Sequence, residues 1–195
     1  MVSEIRIYYE GDRKLKDGFR TFFAALFDAA RRLRWRMSLI AGGATPVEDF
    51  KHALEKRPAA WNFLLKDSDG PDNGHLFSTL SLDRSLEDSV FWMVQIMEAW
   101  FLADVEGLKP YYGQGLHEVA LRGNPKVEEI PKEDVYKRLK NATRATSKGA
   151  YDETGHAPGL LRFIDPERVQ QASPNCRRIF DTILARLKLR TPCDD

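Results

Sequence analysis

The chain has 195 residues, 43% hydrophobic and 30% charged, which suits one soluble globular domain rather than a fibrous or disordered chain. Its formal net charge of +1 excludes a global basic field, so nucleic-acid contacts must come from local basic faces. No apolar run of about 18 residues is present to span a membrane, and the start "MVSEIRIYYEGD" lacks the apolar stretch of a signal peptide. Cys176 and Cys193 form neither a CxxC motif nor a disulfide framework, as expected of reduced thiols in a cytoplasmic protein.

Residues 4–9, "EIRIYY", alternate as a strand does and stop at Glu10-Gly11-Asp12. "FRTFFAALFDAARRL" spaces Phe19, Phe22, Phe23, Leu26, Ala30 and Leu33 as one helix. "WRMSLIAGG" is a second predicted strand. Thr45, Pro46 and Glu48 then predict a helix start with Thr45 as N-cap and Glu48 closing a capping box. That helix stops before Pro58, and "WNFLLK" is the third strand. Short apolar strands alternating with helices imply a mostly parallel sheet with flanking helices.

Residues 70–89 are polar and turn-rich. "VFWMVQIM" is continuously apolar, as a strand buried on both faces would be. "EAWFLADVEGL" predicts a helix from Glu98. The last third predicts helices over "KEDVYKRLKNATRATSKGAY" and "SPNCRRIFDTILARLKL", the latter with Ser173 as N-cap and Pro174 at the first position, before a frayed "RTPCDD" tail. The chain is therefore expected to form one domain over 1–195, an α/β core over 1–110 with a mainly helical extension over 111–190.

Ligands of open parallel sheets bind outside the carboxyl ends of the strands. Three predicted strands end in acids: the first at Glu10, the third at Asp67, Asp69 and Asp72, the fourth at Glu98. If those strands are neighbours, the carboxylates converge. Hard oxygen donors without His or Cys favour Mg2+ or Mn2+ over zinc. Each motif also has an ordinary local reading. D-x-D-G suits a turn, and Glu98 suits a helix start. Asp104, six residues after Glu98, is expected to cap or pair. His156 is expected to be structural.

The joint pattern, a Glu after strand one and D-x-D after strand three, resembles the Toprim domain of topoisomerases, primases and overcoming-lysogenization-defect nucleases. "IRIYYEGD", "LLKDSDGPD", "MVQIMEAWFLAD", "EEIPKEDVYKRLK" and "SPNCRRIFDTI", in that order, resemble the bacterial Toprim-related domain-of-unknown-function family 4276 over most of the chain. The resemblance implies a Toprim-like fold and a metal-dependent phosphodiester chemistry. It also implies a setting in anti-phage defence beside an AAA or SMC-like ATPase. By position, Glu10, Asp67 and Asp69 match the metal-binding and catalytic acids, and Glu98 would be a further metal carboxylate. Lys148 or Lys140 would be the basic group near the scissile phosphate.

Basic residues gather twice, at Arg31, Arg32, Arg34 and Arg36, and at Lys137, Arg138, Lys140, Arg144 and Lys148. The second group, near Tyr136 and Tyr151, is the expected nucleic-acid face, giving affinity without sequence specificity. Trp100, with Tyr111 and Tyr112, is expected to leave an exposed apolar patch for self-association. Two other functions fit parts of the pattern. One is a degenerate Toprim module that docks on an ATPase. The other is a phosphatase using Asp67 as nucleophile and Asp69 as acid/base, from the resemblance of "FLLKDSDG" to the first motif of haloacid-dehalogenase-like enzymes. That second reading requires an acidic pair after a later strand.

Overall fold

A computed structural model describes residues 3–71 and 74–189. The chain runs β1 (Glu4–Tyr9), α1 (Leu15–Phe22), α2 (Ala24–Arg32), β2 (Arg36–Ala41), α3 (Pro46–Lys56), β3 (Trp61–Asp67), α4 (Leu76–Thr79) and β4 (Val90–Met93). It continues with α5 (Ala99–Ala103), α6 (Val105–Tyr112), α7 (Lys132–Thr143), α8 (Glu153–Leu160), α9 (Pro166–Ala172) and α10 (Pro174–Lys188). The four strands form one parallel sheet in the order β2-β1-β3-β4. The expected α/β class with a parallel, helix-flanked sheet is what the chain forms.

Strand alternation divides the core in two. Ile5, Ile7, Tyr9, Met37, Leu39, Phe63, Leu65, Phe91 and Met93 face one side, packed with α1, α2, α10 and the later helices. Tyr8, Leu64, Val90 and Trp92 face the other, packed with Val47, Phe50 and Ala53 of α3 and with Phe77 and Leu82. Both faces of the sheet are buried, which is why its strands read as apolar runs.

Several elements differ from the sequence expectation. The single helix over Phe19–Leu33 is two, parted at Phe23 (φ −92°, ψ 19°). Phe22 stacks on Trp100, and Phe23 packs on Phe180 at 5.5 Å between ring centroids. Consecutive residues of a straight helix point about 100° apart, so the break lets both rings be buried. Trp100 itself is 1% exposed, and Tyr112 is buried beside a half-buried Tyr111. The expected apolar patch at Trp100 does not form, which removes that ground for self-association.

The fourth strand stops at Met93, with Gln95 in the left-handed region (φ 61°). The helix expected from Glu98 is divided at Asp104, which caps α6 through the Gly107 amide and pairs with Arg168 at 3.1 Å. Thr45 precedes α3 without a side-chain cap, because its hydroxyl donates back to the Gly42 carbonyl; the capping box is not formed. The expected polar loop over 70–89 holds α4 and a 3₁₀ turn over Arg84–Ser89. Ser173 caps α10 as expected, accepting from the Cys176 amide at 3.1 Å. Cys176 is free and buried. Cys193, the "RTPCDD" tail and Asp72 lie outside the described residues. Among the described residues, no helix is long and apolar enough to cross a membrane.

Candidate functional site

The strand order makes β1, β3 and β4 neighbours, and all three end at the same edge. Past the end of β1, the Glu10 amide donates to the Leu65 carbonyl of β3 at 2.9 Å. The Glu10 carboxylate in turn accepts from the Asp67 amide at 3.0 Å. Asp67, the last residue of β3, accepts from the Met97 amide at 2.9 Å. The segments leaving β3 and β4 are tied together: Ser68 donates its amide to Met93, Asp69 to Gln95, and the Gln95 amide returns to the Ser68 hydroxyl. This fixes Asp69 in the left-handed region (φ 55°), so that both acids of the D-x-D face one cavity.

That cavity, of about 220 Å³, is lined by Glu10, Gly11, Asp67, Asp69 and Glu98 from the strand exits, and by Lys132, Tyr136 and Glu153 from the C-terminal helices. Gly11 is required there: its φ is +113°, and a Cβ would lie 2.5 Å from the Leu15 side chain. Asp12 belongs to the following turn, where its carboxylate accepts from the Lys14 amide.

Two lysines offset part of the charge. Lys66 donates to both oxygens of Glu10, at 2.9 and 3.1 Å, and stands 3.6 Å from Asp69. Lys132 donates to the other Asp69 oxygen at 2.6 Å. Desolvation acts to raise the Asp69 pKa, but the hydrogen bond and charge of Lys132, together with Lys66, outweigh it, and the carboxyl is held below its ordinary value.

Asp67 and Glu98 have no such partner. Asp67 keeps some exposure along the cavity wall, but its carboxyl is hemmed in by protein. Desolvation, then the charges of Glu98 and Glu10, push it well above the usual range. Glu98 is 2% exposed. Burial pushes its pKa from 4.5 to about 7, against a 2.8 Å hydrogen bond from the Tyr151 hydroxyl. The helix-start reading of Glu98 therefore also holds, since it immediately precedes α5, but its side chain turns into the site.

The basic residues divide. Lys132 lines the acidic cavity and Lys140 lines an adjoining one. Lys148 lines neither, because its ammonium sits over the Tyr111 ring, 4.7 Å from the centroid. It is not the basic group of this site. Lys137 and Arg144 are exposed, whereas Arg138 is half-buried against Gly123. His156 packs among Tyr111, Tyr112 and Tyr151 and hydrogen-bonds the Tyr112 hydroxyl, a structural place. Lys66, Lys132 and Glu153 were not singled out by the sequence, although Lys66 directly precedes D-x-D; Tyr136 and Tyr151 stood out only as neighbours of the second basic group.

A protein family described as a domain of unknown function, DUF4276, matches residues 44–184. The chain belongs to the DUF4276 family. The DUF4276 span contains Asp67, Asp69, Glu98, Lys132, Tyr136 and Glu153; Glu10 precedes it. No curated protein and no solved structure matches the chain.

As the side chains stand, no three acidic, histidine or cysteine groups among the described residues are close enough to share a metal ion. The chemistry of the set still suits a hard divalent cation. The possible donors are carboxylate oxygens, and one carboxyl is enclosed among like charges. The Lys66 ammonium stands between Glu10 and Asp69, where it meets the same electrostatic need as a cation.

Proposed function

We propose that this DUF4276 protein is a magnesium- or manganese-dependent phosphodiesterase, a nuclease of Toprim-like fold. The observation that carries the reading is the convergence of Glu10, Asp67, Asp69 and Glu98, from three adjacent strand exits, on one cavity that also holds Lys132. Glu10, Asp67 and Asp69 would hold the cation, with Glu98 behind them. Bound, it would supply polarisation of the phosphate and a lowered pKa for the attacking water. Lys132, partly exposed beside Asp69, is placed to meet a phosphate oxygen. In the metal-free chain burial pushes the Glu98 carboxyl up to about 7, so it would give up its proton as a cation binds beside it. The setting in anti-phage defence and an AAA or SMC-like ATPase partner rest on the resemblance of the sequence motifs.

The test is cleavage of plasmid DNA and of RNA by the isolated chain in manganese. Glu10→Ala and Asp67→Ala should each abolish it. Absence of cleavage with metal shown to be bound, alone and with a partner ATPase, rejects the reading.

One observation favours a second reading, the docking module. Lys66 and Lys132 already neutralise Glu10 and Asp69, as a site that has dispensed with metal would require. Calorimetric titration with Mn2+ separates the two, since a docking module need take up none. The phosphatase reading is less well supported: among the described residues no strand follows β4 to carry its second acidic pair.

A further inference from the structure

A second cavity, of about 350 Å³, adjoins the acidic one and shares Tyr136 and Glu153 with it. Its other lining residues are Lys140, Tyr151 and Asp152. Lys132, Tyr136 and Lys140 are four residues apart on α7, so they follow one strip of its surface. The strip spans about 12 Å along the helix axis. It begins at the D-x-D, where Lys132 holds Asp69, passes the Tyr136 ring at the wall between the cavities, and ends at Lys140 in the second.

The charges along this strip are unequally committed. Asp152 caps α8 through the Gly155 amide, and Glu153 accepts from the Tyr136 hydroxyl. Lys140 is exposed, and its ammonium has no hydrogen-bond or ion-pair partner among the described residues. The opposite face of α7, with Val135, Leu139 and Ala142, is buried. One half-buried aromatic ring therefore stands between two ammonium groups, on a helix that cannot turn.

We propose that α7 is the rail for a single strand of nucleic acid, with an unpaired base stacked on Tyr136 and the phosphate beyond it on Lys140. This rests on the phosphodiesterase reading and names its substrate class. A duplex offers no free base face to Tyr136, whereas every unpaired base does. A lone nucleotide at the acidic cavity would have no phosphate to give Lys140, so the strip calls for a strand.

The test is fluorescence anisotropy of the full-length chain with labelled oligothymidylate and with the matching duplex, in EDTA so that nothing is cleaved. The single strand should bind more tightly. Tyr136→Leu should weaken it about tenfold with the salt dependence unchanged. Tyr136→Phe, which keeps the ring and gives up the Glu153 bond, should bind like wild type and guards against misfolding of the leucine variant. Lys140→Gln should flatten the slope of log affinity against log salt by about 0.7. Arg32→Gln, on α2 where it enters the opposite edge of the sheet, should change neither. Equal or tighter binding of duplex overturns the rail, as does a folded Tyr136→Leu that binds like wild type. Binding that follows the expected pattern, without cleavage in manganese either alone or with a partner ATPase, removes the hydrolytic reading and leaves the rail. Cleavage with Tyr136 immaterial to binding does the reverse.

Discussion

Lys66 donates to both oxygens of Glu10 while standing 3.6 Å from Asp69, so a divalent cation at these acids would have to compete with a tethered ammonium. Lys66→Met should lower the stability of the metal-free protein by about 2 kcal/mol, the cost of stripping a charged hydrogen bond from a half-buried carboxylate. The same change should tighten Mn2+ binding in calorimetry. An unchanged affinity would mean that the lysine and the metal do not share a place. Asp67→Asn acts oppositely: it relieves a carboxyl enclosed among like charges, so the metal-free melting temperature should rise, while stabilisation by Mn2+ should shrink. Glu98 carries a pH signature. Its folded pKa is raised from 4.5 to about 7 by burial, so between those values the folded chain keeps a proton that the unfolded chain releases. Stability should therefore fall as pH rises through that window and level off above it, by on the order of 3 kcal/mol for this group. Glu98→Gln should flatten the profile in urea titrations between pH 5 and 8.

The helix ends show which local signals the fold honours. Ser173 and Thr45 look alike in sequence, each a hydroxyl before proline. Ser173 is fully buried, accepts from Cys176, and donates to Glu128. Thr45 instead turns back to Gly42. Ser173→Ala should cost about 1–2 kcal/mol, and Thr45→Ala less than about 0.5 kcal/mol, both read from chemical melts. The β-α-β-α-β order was legible because alternating apolar runs and the proline that opens α3 are local signals. The break at Phe23 and the early end of β4 were not. Each is set by a partner distant in sequence: Phe180 for Phe23, and the Ser68 and Asp69 segment for Gln95. The acids of the site were legible because they sit on strand exits. Lys132 and Glu153 were not, and Tyr136 stood out only as a neighbour of the second basic group, because no periodicity encodes which face of a later helix returns to an earlier strand.

Across the whole molecule, the C-terminal half shares its core with the sheet. Residues Ile179, Phe180, Ile183 and Leu187 of α10 join the core that covers β1, β3 and β4, and the Arg178 guanidinium lies over Phe91 and donates to the Val90 carbonyl. A boundary near residue 110 would leave that face uncovered. Removal of residues 173–195 should abolish the cooperative thermal transition seen by circular dichroism and leave an aggregating chain. A soluble, cooperatively melting 1–172 would show that the sheet closes without α10. The two cavities depend on the same closure, since α7 and α8 supply their outer walls.

The Asp67 amide donates to the Glu10 carboxylate and the Met97 amide to the Asp67 carboxylate, so two backbone protons are held by the side chains expected to change partners. Their deuterium uptake gives a readout of the site that needs neither a substrate nor a label. Drawing Glu10 away should expose the Asp67 proton to solvent while the Phe63 and Leu65 amides, deep in the sheet, stay protected. Mass spectrometry of peptides spanning these positions, with and without Mn2+, would follow the strand exits directly.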